Sequence, residues 1–288
     1  MTHPAPKAFV VGHPIAHSRS PLIHGHWLAT HGLPGSYERV DVAPASFAEF
    51  LRDFPRAGFV GGNVTIPHKE AAFRLVAAMT PRAERIGAVN TLSLDAEGRL
   101  HGDNTDAPGF LAHLDATLGA DWPETTGIGA GRTVTLLGAG GAARAIAVGL
   151  LERGLPHLRI ANRTPARAEA LRGLDSARVE AVAWERVPDL LGGTGLLVNT
   201  TSLGMAGAGR LDLDLAALPD GAAVADIVYV PLETPLLAAA RARALRTVDG
   251  LGMLLHQAVP GFARWFGVTP RVTPELRGLV VADIEGRR

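Results

Sequence analysis

Lysine is rare in this chain, and this rarity makes one of its two lysines a candidate for acid–base chemistry. Only Lys7 and Lys69 are lysines among 28 lysine and arginine residues. Arginine stays protonated in proteins, whereas lysine can exchange a proton when its surroundings shift its pKa. Lys69 is therefore the candidate proton-transfer residue, and Lys7, near the terminus, is better explained as a chance retention.

The predicted position of Lys69 supports a chemical role. It ends the run NVTIPHK, in which Pro67 predicts the start of a helix that extends to about Met79. The dipole of a helix repels a cation at the N-terminus, so function explains this lysine better than helix stability does.

Two polar segments are candidates for substrate contacts. Ser20 precedes Pro21 and has the form of a helix N-cap, but Ser18 has no such structural explanation. Two hydroxyls beside a helix N-terminus can bind a small carboxylate. Asp106 ends a polar cluster that begins at Asp103 and precedes a predicted helix to about Leu118; it is either an N-cap or part of a substrate-facing rim.

A glycine-rich turn predicts dinucleotide binding. A β-branched and apolar run from Thr133 to Leu137 precedes Gly138, Gly140 and Ala143, which are spaced as G-x-G-x-x-A. The backbone from Gly138 to Ala142 (Gly138, Ala139, Gly140, Gly141 and Ala142) is expected to approach a pyrophosphate, with a helix to Glu152 behind it. An ordinary strand-to-helix turn is the alternative.

The end of the next predicted strand indicates which dinucleotide is bound. An acidic residue about 20 residues after the turn would bond the ribose 2′-hydroxyl of NAD. Here Asn162, Arg163 and Thr164 stand at this point, and Arg167 lies one helical turn further on. Arginines suit a 2′-phosphate, so NADP is the predicted cofactor. The alternative is that these are ordinary surface arginines.

The elements that position these residues alternate between strand and helix, which predicts an α/β protein of two domains. We expect a substrate-binding and catalytic domain in residues 1–118, following a β-α-β-α-β start. Gly, Pro and Thr dominate from Gly119 to Gly131 and indicate a boundary. A Rossmann-type, doubly wound NADP-binding domain is expected in residues 119–250. Residues 251–288 are expected to form C-terminal helices that return to the first domain, with Pro260 kinking or splitting one of them.

Composition excludes several classes of function. Basic and acidic residues number 28 each, which argues against nucleic acid and anionic membranes as partners. The chain has no cysteine and no apolar stretch that approaches a membrane span. Five early histidines match no zinc or iron ligand pattern, so no metal is expected. These features predict a cytoplasmic protein with a small-molecule substrate, either a monomer or a homodimer.

Taken together, the motifs resemble those of the shikimate dehydrogenase family, within the shikimate/quinate dehydrogenases. They occur in family order over residues 8 to 266: HSRSP, NVTIPHK, GAVNTL, GDNTDAPGF, GAGGAAR, NRTPAR, DIVY and DGLGMLLHQA. The resemblance implies NADPH-dependent, reversible reduction of 3-dehydroshikimate to shikimate in the chorismate and aromatic amino-acid pathway.

The resemblance also assigns roles to individual residues. Lys69 would transfer the proton, and Asp106 would orient its ammonium and hold a hydroxyl. Ser18 and Ser20 would bind the substrate carboxylate, whereas Thr65, Asn90 and Asp106 would contact the ring hydroxyls and Gln257 would reach the substrate from a C-terminal helix. The implied cofactor contacts are Gly138 to Ala142, Asn162 to Arg167, Ile227, Tyr229 and Gly250.

Alternative functions remain at this point. One is a quinate or quinate/shikimate dehydrogenase that uses NAD or NADP, against which stand the two serines and the arginines. Another is a non-catalytic NADP-binding regulator on the same fold, which would have no need of Lys69 and Asp106. A tetrahydrofolate dehydrogenase of similar architecture is a more distant alternative.

Overall fold

The computed structural model describes residues 5–286, whose contacts divide them into two compact units. Unit 1 contains the described residues up to Thr105 and those from Gln257 onward, and unit 2 runs from Asp106 to His256. Each unit is built on its own six-stranded sheet. The predicted α/β fold is confirmed.

The sheet of unit 1 is mixed, with the strand order β2-β1-β3-β5-β6-β4. β1 pairs in parallel with β2 and β3, as the β-α-β-α-β prediction requires. β5 runs antiparallel to both β3 and β6. The strands are β1 (Lys7–Gly12), β2 (Ser36–Asp41), β3 (Phe59–Val64), β4 (Ala78–Met79), β5 (Thr91–Leu94) and β6 (Leu100–Asp103).

The helices of unit 1 cover this sheet and position its loops. Those before the chain leaves the unit are α1 (Ser20–Thr30), α2 (Phe47–Asp53), α3 (Lys69–Leu75) and α4 (Pro81–Ile86). The prediction of one helix from Pro67 to Met79 is wrong at both ends. The helix begins at Lys69, and Val76 already has an extended backbone that brings its side chain into the core before β4 pairs with β6.

The sheet of unit 2 is parallel throughout, with the strand order β12-β11-β10-β7-β8-β9. This is the doubly wound order, in which the chain reverses direction across the sheet between β7 and β10. The elements are α5 (Asp106–Leu118), α6 (Trp122–Thr125), β7 (Thr133–Leu137), α7 (Gly141–Glu152), β8 (Leu158–Asn162), α8 (Pro165–Arg172), β9 (Val179–Ala183), α9 (Val187–Leu190), β10 (Thr194–Asn199), β11 (Ala223–Asp226), α10 (Pro235–Ala242) and β12 (Arg246–Val248).

The contacts divide the chain at Asp106, whereas the composition predicts a boundary near residue 119. The difference arises because α5 packs on α7, where Gly149 leaves room for Ala107. The Gly- and Pro-rich stretch that follows is also packed: Trp122 is fully buried, and the Arg153 guanidinium lies 5.7 Å from the centre of its ring.

The last two helices are α11 (Gly250–Phe266) and α12 (Pro274–Ile284). α11 is a single continuous helix with Pro260 inside it, so of the two expected effects, a kink or a split, the split does not occur. α12 belongs to unit 1, where Arg19 donates to Asp283. Within residues 5–286, no helix combines the length and apolar character that a membrane crossing requires.

Candidate active site

One edge of the unit 1 sheet gathers most of the predicted substrate residues. The carboxyl ends of β1, β3 and β6 lie at this edge, together with the start of β5, because β5 runs in the opposite direction. Backbone hydrogen bonds join them: Thr65 N donates to Val11 O at 2.9 Å, Val64 N to Asn90 O at 2.8 Å, and Asn90 N to Asp103 O at 3.0 Å. The sheet therefore brings Thr65 and Asn90 to one place.

The loop after β1 carries the two predicted carboxylate ligands. Ser20 is the buried first residue of α1, and the N-cap position belongs to Arg19, which makes no side-chain cap. The N-cap interpretation of Ser20 is therefore wrong. Ser18 Oγ accepts from the backbone N–H of Ser20 at 3.3 Å, and Arg39 donates to Ser18 O through Nε at 2.9 Å and Nη2 at 2.6 Å.

Lys69 is half-buried at the first position of α3 and follows a histidine that is almost fully buried. The ring of His68 stacks on Phe47 with centroids 4.3 Å apart, and its Nε2 donates to Val42 O at 2.7 Å. Lys69 O accepts from Val89 N at 3.0 Å. These contacts hold the backbone of Lys69 on both sides.

The remaining predicted substrate residues belong to different units. Asn90 is buried, and its Oδ1 accepts from the backbone N–H of Thr105 at 2.8 Å. Asp106 directly follows Thr105, is half-buried, and is the first residue of α5 and of unit 2. Gln257 is the buried residue of α11 at which the chain returns to unit 1.

Sequence reasoning missed three polar residues that are buried in unit 1. Tyr37 donates to Asn63 Oδ1 at 2.6 Å, and Asn63 Nδ2 donates to Thr91 Oγ1 at 3.3 Å. The signal that could have identified Asn63 is an amide in the otherwise apolar strand FVGGNV, since buried polar side chains need partners.

The predicted dinucleotide turn has the required shape. Gly138 has φ +106°, and a Cβ there would lie 2.8 Å from Thr200 Oγ1, so a side chain is excluded. Nothing lies within 4 Å of the Cβ positions of Gly140 and Gly141. Gly140 offers no side-chain cap to α7, a helix of 12 residues. The open space and the uncapped helix N-terminus fit a pyrophosphate.

Basic residues follow β8 as predicted. Arg163 and Arg167 are exposed, and neither makes an ion pair or a side-chain hydrogen bond among the described residues. Asn162 Nδ2 donates to Thr164 O at 2.9 Å and thereby orders the connection to α8. Both guanidinium groups are therefore available to an anion.

The ends of β10, β11 and β12 bring together the last predicted cofactor residues. Ile227 and Tyr229 follow β11, and Ile227 N donates to Asn199 O at 3.1 Å. A Cβ on Gly250 would overlap the carbonyl of Ile227, so only glycine permits this approach. Burial raises the pKa of the neighbouring Asp226 carboxyl, although hydrogen bonds from Thr234, Val228 and Asn199 oppose the shift.

This combination defines a class of protein: an α/β oxidoreductase with a Rossmann-type dinucleotide unit. Models of three families match the chain. They are the shikimate dehydrogenase substrate binding domain over residues 10–92, shikimate/quinate 5-dehydrogenase over residues 125–204, and the shikimate 5'-dehydrogenase C-terminal domain over residues 250–274. A shikimate dehydrogenase (NADP(+)) of Methylobacterium radiotolerans is 67% identical over 99% of this chain and 100% of the relative. The chain belongs to the shikimate dehydrogenase family.

Solved structures agree with this assignment. The shikimate 5-dehydrogenase of Thermus thermophilus, in complex with NADP(H) and shikimate, is 38% identical, with a TM-score of 0.80 over 98% of this chain and 100% of that one. The quinate dehydrogenase of Corynebacterium glutamicum, in complex with NAD, is 31% identical, with a TM-score of 0.87 over 97% of this chain and 100% of that one. Shikimate and quinate dehydrogenases thus share this fold, so substrate and cofactor preference depend on individual residues of the site.

Proposed function

We propose that this chain catalyses the NADP-dependent, reversible reduction of 3-dehydroshikimate to shikimate, a step toward chorismate and the aromatic amino acids. The observation that carries the proposal is the full-length relationship to NADP-dependent shikimate dehydrogenases at 56–67% identity. The chain also has Lys69 and several polar groups at one edge of the unit 1 sheet. Unit 2 has a glycine-rich dinucleotide turn after β7 and arginines after β8.

The substrate would be held by residues of known position. Ser18 and Ser20 bind its carboxylate, because both hydroxyls lie at the start of α1, where the N-cap residue Arg19 makes no side-chain cap. Thr65, Asn90 and Asp106 contact ring hydroxyls, and Gln257 reaches the substrate from α11. Each of these contacts supplies orientation, which reactions between bound groups require.

The proton is assigned to Lys69. Reduction of a ketone leaves developing negative charge on its oxygen, and an ammonium within hydrogen-bond reach can donate a proton to it. In the reverse direction the same nitrogen accepts the proton of the substrate hydroxyl. Asp106 fixes a neighbouring hydroxyl and thus the orientation of the reacting carbon.

Unit 2 would hold the cofactor. Gly138, Ala139, Gly140, Gly141 and Ala142 receive the pyrophosphate; Asn162, Arg163, Thr164 and Arg167 receive the 2′-phosphate; Ile227, Tyr229 and Gly250 lie toward the nicotinamide. When bound, NADPH supplies the hydride.

The first experiment measures absorbance of the reduced nicotinamide with shikimate or quinate, each with NADP or NAD. We expect a clear preference for shikimate with NADP. Activity only with quinate or with NAD would replace the proposal by the quinate enzyme, and no activity in any mixture would replace it by a regulator.

The arginines test the choice of cofactor within this experiment. Loss of a charge-assisted hydrogen bond costs roughly 1.5–3 kcal/mol, so Arg163→Ala and Arg167→Ala should each lower kcat/KM for NADP by about ten- to a hundredfold and leave NAD unaffected. Arg172→Ala is the matched control, since Arg172 lies on α8 with Arg167 but pairs with Glu169 at 2.9 Å.

We further propose that the enzyme acts in the cytoplasm as a monomer or homodimer, with no nucleic-acid or membrane partner. The balanced charge supports only the exclusion of nucleic-acid and anionic membrane partners. Light scattering of the purified chain will measure its mass in solution.

A further inference from the structure

A buried carboxamide lies at the centre of the substrate edge of unit 1. Asn63, on β3, is 5% exposed. Its Nδ2 donates to Asn90 O at 3.1 Å and to Thr91 Oγ1 at 3.3 Å, and its Oδ1 accepts from Tyr37 Oη at 2.6 Å. Because a backbone carbonyl only accepts, the NH₂ end of Asn63 must face Asn90, which fixes the orientation of this amide.

The carboxamide of Asn90 is fixed in the same way. Its Oδ1 accepts from Thr105 N at 2.8 Å, from Thr91 Oγ1 at 2.9 Å and from Thr105 Oγ1 at 3.2 Å. A backbone N–H only donates, so the atom that faces Thr105 must be the oxygen. All three side chains are at most 2% exposed.

These constraints determine the direction in which the donors run. Thr91 Oγ1 lies 2.9 Å from Asn90 Oδ1 and 3.1 Å from Thr105 Oγ1; its single proton goes to Asn90 directly or through the Thr105 hydroxyl, and its lone pair accepts from Asn63. Tyr37 in turn donates to Asn63. The chain of donors thus runs one way, from Tyr37 through Asn63 and Thr91 to Asn90, and it saturates the Asn90 oxygen inside the protein.

We propose that Asn63 and Thr91 are positioning residues which make Asn90 a donor-only contact for the substrate. With its oxygen held inward, Asn90 can offer a ligand only its NH₂ group, so the ligand must carry a hydrogen-bond acceptor at that point. The specificity for a ring oxygen is therefore set inside the protein: the Thr105 N–H fixes which end of Asn90 faces inward, Thr91 binds the same oxygen, and Asn63 orients Thr91. This inference rests on the proposed function, in which Asn90 contacts a ring hydroxyl.

The test compares Thr91→Val, which keeps the shape but removes the hydroxyl, with Thr91→Ser, which restores it. Steady-state kinetics are measured with shikimate and with analogues that each lack one ring hydroxyl. Thr91→Val should raise KM for shikimate roughly three- to tenfold. It should also narrow the difference in KM between shikimate and the analogue that lacks the hydroxyl bound by Asn90. Thr91→Ser should keep KM for shikimate and this difference in KM near their wild-type values.

A purely structural role for Thr91 would give a different pattern. Thr91→Val would then lower the melting temperature and raise KM for shikimate and every analogue by the same factor, which would overturn the proposal, as would wild-type kinetics in Thr91→Val. Thr91→Ala is a second hydroxyl-free variant in case the valine variant does not fold. If wild-type protein does not oxidise shikimate, the proposed function fails first, so the two failures are distinguishable.

Discussion

Lys69 owes its position to the residue before it. His68 is anchored by stacking on Phe47 and by a hydrogen bond to Val42 O, so the start of α3 cannot shift without breaking buried contacts. A long, flexible side chain thus extends from a fixed backbone. This arrangement suits proton transfer, because the side-chain nitrogen can reach the reacting oxygen while the backbone that carries it stays in place.

We predict that Lys69→Met lowers kcat by about 10²- to 10⁴-fold, because general acid–base catalysis contributes that much. The affinity for NADPH, measured by fluorescence titration, should stay unchanged, since the proposed cofactor residues belong to unit 2. Lys7→Met is the matched control: the only other lysine is exposed on β1, and its loss should leave kcat near wild type. Near-normal turnover in Lys69→Met would refute the proton-transfer role.

At the scale of elements, the loop after β1 that carries Ser18 and Ser20 is anchored to the last helix, α12. Arg19 stands between Ser18 and Ser20 and donates from Nε to Asp283 Oδ2 on α12 at 3.0 Å. The two side chains are only 19% and 12% exposed, so this pair is shielded from solvent far more than a surface ion pair. Arg39 holds the same loop from β2.

We predict that Arg19→Met raises KM for shikimate about three- to tenfold, because both serines depend on this loop, while KM for NADP stays unchanged. Breaking a shielded pair leaves one charge uncompensated and should cost about 1–3 kcal/mol of unfolding free energy, between the ~1 kcal/mol of an exposed pair and the ~3–5 kcal/mol of a fully buried one. The double variant Arg19→Asp with Asp283→Arg should recover part of both losses. Arg99→Met, which removes an exposed pair with Asp95, is the control; an equal effect there would contradict the anchoring role.

At the scale of the whole molecule, unit 1 contains a buried histidine that couples stability to pH. His24 stacks on Tyr37 with centroids 3.9 Å apart and lies among Trp27, Phe262 and Trp265. Neither ring nitrogen makes a hydrogen bond of ordinary geometry among the described residues. Nearby Asn63 has a smaller, opposite effect on the pKa of His24 than burial does. Burial lowers the pKa of His24 to about 3.

The sign of the effect follows from proton binding. Between about pH 6.5 and pH 3 the unfolded chain binds a proton at His24 and the folded chain does not, so stability falls as the pH falls, by about 1.4 kcal/mol per pH unit. Between pH 6.5 and pH 5, we predict that the free energy of unfolding falls by about 2 kcal/mol less in His24→Phe than in the wild-type protein.

Urea unfolding at several pH values measures this difference. His17→Phe makes the same change at an exposed histidine and should follow the wild-type curve. Parallel curves for His24→Phe and wild type would mean that His24 is not the group responsible.

The sequence by itself determined the parts that depend on local signals. The strand β7, the turn that begins at Gly138 and the basic residues after β8 follow from short runs whose residue types dictate backbone shape and charge. Lys69 is conspicuous because lysine is so rare. The bounds of α3 were not predictable, because burial of Val76 and pairing of β4 end the helix where its own residues would let it continue.

Only the tertiary structure decided which distant residues act together. Arg19 and Asp283 are 264 positions apart, and Tyr37 is 26 positions from Asn63. No local pattern links such residues, since their contacts exist only after the strands pair and the last helix packs. The direction in which Asn90 presents its amide is a further example: the residue type allows either orientation, and one buried backbone N–H chooses between them.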